Sequence, residues 1–245
     1  LCPDNLCVAR PVGKHEIERT PVAKLAMKKE WDRLRSKHVW DEDHPRDWDE
    51  VRSDARRGGY TVHMRYLFGI CVEKNAELDP SLRRFKGRVV FQGNQVYDQD
   101  HNYAIFQDLG SSLATLQAAK AVAFYGCLPD HCIEVADAEQ AYIQADMHVD
   151  PTWICLPPEA RPEWWKKLFP HLRRPVCLLK KALYGHPDAG TYWEKKCDAH
   201  IKSVGFAPIG PEWPSCYYNA KLSLMLSVYV DDFKLAGPKN NILVG

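Results

Sequence analysis

The chain has 245 residues, of which 45% are hydrophobic and 27% are charged, as in an ordinary globular protein. This composition excludes collagen, fibrous coiled coils and gross disorder, and no apolar run is long enough to span a membrane. The 33 Lys and Arg residues nearly balance the 32 Asp and Glu residues, which excludes a simple polycation that coats nucleic acid. A local basic groove is still compatible with this balance.

The nine cysteines are scattered along the chain, and none of them forms a Cys-x-x-Cys pair. We therefore predict reduced, intracellular thiols rather than a disulfide framework or a structural zinc site. The first residues contain no apolar block of signal-peptide length and do not begin with Met. The chain is therefore expected to be a piece of a longer protein.

The first part of the chain is predicted to contain a helix and a hairpin. After a lead-in over residues 1–23, apolar residues with helical spacing predict a helix over residues 24–37. The charged segment 41–59 contains Pro45 and a Gly-Gly pair, and it predicts a loop. Residues 60–72 and 88–92 are rich in β-branched and aromatic side chains and predict the two strands of a hairpin. Nine Lys and Arg residues stand against four acids between Val51 and Val90, which indicates a basic region.

The second part mixes helices and strands without strict alternation, which favours the α+β class. Residues 111–127 form a helical pattern with Ser111 or Ser112 as its N-cap. The other predicted elements are a strand over 132–136 that ends in Asp137, strands over 152–156 and 176–179, a Trp-rich helix over 159–169, a helix over 188–204, and strands over 222–230 and 233–236.

The tetrapeptide Tyr229-Val230-Asp231-Asp232 follows an apolar strand and has two interpretations. Adjacent carboxylates repel each other unless water or a cation neutralises them. A solvated hairpin turn is the commoner explanation of such a pair, because Asp is a frequent turn residue. A site for a hard cation with oxygen ligands is the alternative.

Asp137 adds weight to the cation site, because this acid also stands at the end of an apolar strand. Two-metal phosphoryl transfer needs a further acid from a separate strand, with the cations about 3.5–4 Å apart. The sequence does not show whether the two strands are neighbours, so both interpretations stay open at this point.

Four sequence blocks follow one another along the chain and carry a resemblance to a known family. They are Phe85-Lys86-Gly87-Arg88-Val89-Val90-Phe91-Gln92-Gly93, Asp137-Ala138-Glu139-Gln140-Ala141-Tyr142, Leu179-Lys180-Lys181-Ala182-Leu183-Tyr184-Gly185 with Tyr192-Trp193 after it, and Tyr229-Val230-Asp231-Asp232. In this order the chain resembles the reverse transcriptase of copia-type LTR retrotransposons over roughly residues 24–240.

The resemblance implies an α+β fold with the fingers and palm of a right-hand polymerase, in which helices back a small antiparallel palm sheet. Residues 24–130 would be a fingers-like region with part of the palm. Residues 131–245 would be the palm with the hairpin, and the thumb would be absent. The implied activity is RNA-directed DNA polymerisation, with Mg²⁺ as cofactor and Mn²⁺ as the alternative ion.

The resemblance also implies partners and a cellular setting. The expected partners are an RNA or DNA template with its primer, and a dNTP, with no membrane. The thumb, RNase H and integrase of a parent Gag-Pol polyprotein would lie outside this chain. The expected location is intracellular, in the cytoplasm, with a virus-like particle or the nucleus as alternatives.

For the reaction centre, the resemblance implies a catalytic and metal-binding set of three acids. Asp137 and Asp231 would ligate two metal ions, and Asp232 would have a less direct role. Tyr142 would bind the nucleotide under the incoming sugar and disfavour a 2′-hydroxyl, and the alternative for it is a core tyrosine. Tyr229 would face the primer terminus.

For the rest of the nucleotide site, the resemblance implies four residues in two blocks. Arg88, with Lys86 beside it, would supply a cation to the triphosphate, because a guanidinium matches the geometry of phosphate. Tyr184 and Gly185 would form the turn beneath the base. The plain alternatives are solvated hairpin cations for the first pair and an ordinary turn for the second.

Departures from the family pattern indicate a divergent lineage. His186-Pro187-Asp188-Ala189-Gly190 replaces the usual Leu-x-Gln-x-Pro, and Glu139 adds a negative charge near the expected metals. The alternative to an enzyme is a catalytically decayed remnant that still binds nucleic acid through the basic region. The presence of all three acids favours the enzyme, and a pure protein-interaction domain would have no need of them.

Overall fold

The computed structural model describes residues 8–106, 113–147 and 150–244, and these ranges form seven α-helices and two β-sheets. The predicted α+β class is confirmed. The chain divides into two compact units. The first unit comprises residues 1–106 and 147–187, and the second unit comprises residues 107–146 and 188–245. The predicted division into a fingers-like region over residues 24–130 and a palm over residues 131–245 stays a prediction.

The first unit is built on a six-stranded sheet with the strand order β1-β3-β6-β7-β2, in which β4 also pairs with β3. Strands β3 and β6 run parallel, and the other pairs are antiparallel. Its elements are β1 (Ala9–Val12), α1 (Lys14–Arg19), α2 (Pro21–Ser36), β2 (Arg46–Asp47), α3 (Trp48–Gly58), β3 (His63–Lys74), β4 (Arg84–Phe91), β6 (Thr152–Cys155), α5 (Glu163–Leu168) and β7 (Pro175–Leu178).

The predicted hairpin is confirmed as the antiparallel pair of β3 and β4. Strand β3 lies two to three residues later in the chain than predicted, and β4 begins four residues earlier than predicted. Helix α2 packs on this hairpin where Gly69 and Gly87 have no side chain, and Met27 lies against both glycines. The helix begins at Pro21, three residues before the predicted start, because proline is well suited to the first turn of a helix.

The predicted loop over residues 41–59 is wrong for most of its length, because residues 48–58 form helix α3. Trp48, Val51 and Ala55 recur at helical spacing and are buried, while the charged residues between them face outward. The Asp47 side chain accepts a hydrogen bond from the Asp49 amide and caps the helix. The many charged residues of this segment concealed the helical spacing of its apolar residues.

The second unit contains a five-stranded antiparallel sheet with the strand order β5-β11-β10-β9-β8. Its elements are α4 (Leu116–Gly126), β5 (His131–Asp137), α6 (Ala189–Ser203), β8 (Ala207–Pro208), β9 (Cys216–Asn219), β10 (Leu224–Tyr229), β11 (Asp232–Pro238) and α7 (Lys239–Ile242).

One face of this sheet carries the core of the second unit. Trp193, Cys197 and Ile201 form the buried stripe of α6 and belong to one core cluster with Leu226 and Val228 of β10. The helix predicted over residues 188–204 is therefore confirmed as α6.

Helix α4 is shorter than predicted at its N-terminus. Ser111 and Ser112, the predicted caps, lie outside the described residues. The Thr115 hydroxyl accepts a hydrogen bond from the Ala118 amide at 3.1 Å, so Thr115 is the N-cap. Across the described ranges, no helix is both long enough and apolar enough to cross a membrane.

Candidate active site

The register of the second sheet brings together acids that are far apart in sequence. Strands β5 and β11 are neighbours, and Asp137 lies directly opposite Asp232 in their antiparallel pairing. Tyr229 pairs with Asp232, so the loop between β10 and β11 consists of Val230 and Asp231 alone. This tight loop places Asp231 next to the Asp137–Asp232 pair.

These three acids, hereafter the acid triad, are close enough to share cations. One carboxylate oxygen from each of Asp137, Asp231 and Asp232 lies within 4.8 Å of the others. A Mg²⁺ ion with bonds of about 2.1 Å joins oxygens up to about 4.2 Å apart, so small side-chain rotations would complete the ligand set. Carboxylate oxygens are also the donor type that hard divalent cations prefer. The acid triad therefore fits divalent metal ions.

The charge of the acid triad also favours a cation. Within the described part of the chain, no Lys or Arg forms an ion pair with these three carboxylates. Asp137 and Asp232 are exposed and Asp231 is half-buried. Three neighbouring negative charges repel one another, and a bound cation would offset that repulsion.

Two hydrogen bonds hold the loop that carries Asp231. The Ala138 amide donates to the Asp231 carbonyl at 2.6 Å, and the Trp193 indole N–H donates to the Val230 carbonyl at 2.6 Å. Val230 has a φ of 58°, in the left-handed region that β-branched residues avoid. The loop is thus held from both sides in a strained conformation.

A groove of about 620 Å³ lies beside the acid triad, between the start of α4 and one face of the sheet. Tyr229 lines it together with Asp137 and Asp232, and the Tyr229 side chain is 54% exposed. The groove wall is mostly apolar, with Leu116 and Val135 as large exposed members. Tyr229, the predicted primer-contacting residue, is therefore accessible on the same face as two of the acids.

Tyr142 lies in a short 3-10 turn, Ala141–Gln144, that follows the strand bearing Asp137. Its ring packs on the core of the second unit and is only partly buried. It also lines a cavity of about 20 Å³ together with Trp193 and Val230. This position near the loop combines features of a core tyrosine with the accessibility that its predicted contact with the nucleotide requires.

The other predicted nucleotide-binding residues belong to the first unit and form one group at β4. The Arg88 guanidinium lies 5.0 Å from the centroid of the Tyr184 ring, within cation–π distance. The Phe91 amide donates to the Tyr184 carbonyl at 2.7 Å. Gly185 has a φ of 87° and lies against the Phe91 carbonyl, where a side chain has no space.

Lys86 belongs to the cationic part of this group. Partial burial lowers the pKa of Lys86, and the positive charges of Arg88, Lys74 and Arg33 lower it further. Such a concentration of positive charge suits an anionic ligand.

Sequence reasoning missed the contact between Trp193 and the Val230 carbonyl. Trp193 is buried at 7% exposure, as is typical of a core aromatic residue. Its helical spacing with Cys197 explains the burial but gives no sign of the indole hydrogen bond. The neighbouring pair Tyr192-Trp193 in the family motif was the one available signal.

Comparison with known proteins identifies the family of the chain. The family model described as reverse transcriptase (RNA-dependent DNA polymerase) matches residues 63–245, which include the acid triad and the Arg88 group. No curated protein and no solved structure matches the chain. Because the family model covers more than half of its length, the chain belongs to the reverse transcriptase family of RNA-dependent DNA polymerases.

Proposed function

We propose that the chain is the RNA-directed DNA polymerase domain of a copia-type retrotransposon Gag-Pol polyprotein. The primer 3′-hydroxyl would attack the α-phosphate of a dNTP, which forms a phosphodiester bond and releases pyrophosphate. The observation that carries this proposal is the acid triad, whose carboxylate oxygens lie within 4.8 Å of one another on a strand and a hairpin. The order of the four sequence blocks supports the copia-type lineage.

Asp137, Asp231 and Asp232 would hold two divalent cations, Mg²⁺ or alternatively Mn²⁺. When bound, such cations supply charge stabilisation and alignment to phosphoryl transfer. The protein contributes a fixed arrangement of ligands, since two of the acids are cross-strand partners and the third lies in a loop of two residues. Preorganised ligands reduce the reorganisation that catalysis would otherwise require.

The remaining predicted residues would bind the nucleotide and the primer. Arg88 and Lys86 would contact the triphosphate, and the stack of Arg88 on Tyr184 would keep the guanidinium plane oriented. Tyr184 and Gly185 would support the base, Tyr142 would disfavour a 2′-hydroxyl, and Tyr229 would contact the primer terminus. Exposure of Tyr229 at the groove beside the acid triad supports its assignment.

A non-catalytic nucleic-acid-binding remnant is the second candidate, and the cations around Lys86 favour it. Lys74, Arg88 and Arg33 are close enough to lower the pKa of Lys86. Binding through such a cluster would be independent of sequence and would weaken steeply with salt.

Primer extension on an RNA template separates the two candidates. The assay uses the chain within its parent polyprotein and compares the native protein with Asp231→Asn and with Asp43→Asn, a control that removes an exposed acid outside the triad. We expect loss of extension in Asp231→Asn, full extension in Asp43→Asn, and unchanged binding of primer–template by both. Equal extension by the native protein and Asp231→Asn would refute the proposed activity.

A further inference from the structure

The loop that presents Asp231 has a backbone conformation that its own sequence does not favour. Val230 is the first of the two loop residues and has a φ of 58°. A two-residue hairpin loop with a positive φ at its first position normally has glycine there, because a side chain at this position is strained. A β-branched residue is among the least suited to this conformation, so contacts outside the loop must maintain it.

One contact from outside the hairpin acts directly on this residue. The indole N–H of Trp193, in helix α6, donates a hydrogen bond of 2.6 Å to the Val230 carbonyl. Trp193 is 7% exposed, so little water can compete for this bond. The Val230 carbonyl belongs to the peptide group that leads into Asp231, and fixing it therefore fixes the direction in which the Asp231 side chain leaves the backbone.

Packing alone does not fix the loop. A cavity of about 20 Å³, about the size of one water molecule, borders Trp193, Val228 and Val230. Val230 therefore borders free space on the side of α6. On that side the hydrogen bond from Trp193 is a direct restraint on the loop backbone.

We propose that Trp193 is a positioning residue for the acid triad, which it aligns by holding Val230 in the left-handed conformation. This inference rests on the proposed function, because it concerns the same cation ligands. Trp193 touches neither substrate nor cation in this role and acts through the backbone of the loop. Removal of the Trp193 indole N–H should lower the affinity of the chain for cations and leave the fold largely intact.

The test measures the affinity of the chain for Mn²⁺ from the electron paramagnetic resonance signal of the free ion. Trp193→Phe keeps an aromatic ring in the core and removes the N–H donor. Trp165→Phe is the matched control, since Trp165 is equally buried and its indole donates to the Glu42 carbonyl at 3.0 Å. We expect Mn²⁺ to bind about threefold to tenfold more weakly to Trp193→Phe, the factor that the loss of one hydrogen bond corresponds to. Trp165→Phe should bind Mn²⁺ like the native chain.

A second pair of variants separates alignment from general packing. Val230→Gly adopts the left-handed conformation without strain, so it makes the indole bond less necessary. Adding Val230→Gly to Trp193→Phe should restore most of the lost Mn²⁺ affinity, and this rescue would not occur if Trp193 only filled the core. If phenylalanine prevents folding, the benzothienyl analogue of tryptophan at position 193 removes the donor while keeping the size of the ring.

The outcomes are distinct. Native affinity in Trp193→Phe, equal weakening in Trp165→Phe, or no rescue by Val230→Gly would each overturn the positioning role while leaving the proposed function intact. If the native chain binds Mn²⁺ no better than Asp137→Asn does, the proposed metal site itself fails, and the positioning role fails with it.

Discussion

Asp137 and Asp232 are directly opposed across the antiparallel pair of β5 and β11. Like charges in this arrangement destabilise a sheet, since the two side chains lie side by side on one face. The second unit thus keeps an unfavourable pair at the place where a cation would be bound.

Asp232→Asn should therefore stabilise the chain when divalent cations are absent. In the presence of EDTA we expect its Tm to rise by about 1–3 °C, because one of the two opposed charges is removed. Adding Mn²⁺ should raise the Tm of the native chain and have less effect on the variant, since ligands that bind the folded state stabilise it. Differential scanning calorimetry with Asp43→Asn as control measures both effects. A variant that is less stable than the native chain in EDTA would show that the pair is not repulsive.

Arg88 should contribute more to dNTP binding than Arg84, although both are exposed cations of strand β4. Arg88 alone of these two stacks on Tyr184, which would orient its guanidinium toward a triphosphate. We expect Arg88→Ala to raise the KM for dNTP about tenfold or more, and Arg84→Ala to change it less than about twofold. Arg88→Lys should fall between them, because it keeps the charge and loses the planar stack. Equal effects of the two alanine variants in steady-state extension would indicate an unspecific cationic surface.

Gly87 should tolerate a side chain less well than Gly69. A Cβ at Gly87 would lie 2.7 Å from the Ala26 carbonyl oxygen and 3.0 Å from the Met27 Cα, both in the backbone of α2. A Cβ at Gly69 would meet the flexible end of the Met27 side chain, which can move away. We expect Gly87→Ala to lower the free energy of unfolding by about 1–3 kcal/mol and Gly69→Ala to lower it less, as urea denaturation would show. If Gly69→Ala lowered the free energy of unfolding more than Gly87→Ala, α2 would not be held at this distance from β4.

The buried histidine His186 should make the stability of the chain depend on pH. Burial, followed by the positive charge of His63, lowers the pKa of His186 to about 4. An unfolded histidine titrates near pH 6.5, so between about pH 6.5 and pH 4 the unfolded chain binds a proton that the folded chain does not. Stability should thus fall as the pH decreases through this range, by about 3 kcal/mol in total.

His186→Phe keeps an aromatic ring between Phe91 and Phe106 and removes the titrating group. Urea denaturation at several pH values should then show a flatter profile for His186→Phe between pH 6.5 and pH 5, where few carboxylates titrate. His171→Asn, which changes an exposed histidine, should keep the native profile. An unchanged slope in His186→Phe would show that another group causes the dependence.

Local sequence patterns were sufficient to predict several of the helices and strands. The hairpin of β3 and β4 follows from local enrichment in β-branched and aromatic residues, and the buried stripe of α6 follows from helical spacing. Helix α3 was missed because the charged residues on its exposed face hid the apolar spacing of Trp48, Val51 and Ala55. The short strands β8 and β9 were also missed, since pairing between strands is their main support.

The sequence alone determined the residue types of the site: Asp137 at the end of one strand, and Asp231 and Asp232 after another. Their proximity depends on the register of β5 against β11, which is set by contacts between segments about one hundred residues apart. The conformation of the loop is likewise a tertiary property, because the Trp193 indole from α6 bonds to a residue that does not favour its own φ. Local propensity can therefore indicate which residues take part, while packing between distant segments decides how they are aligned.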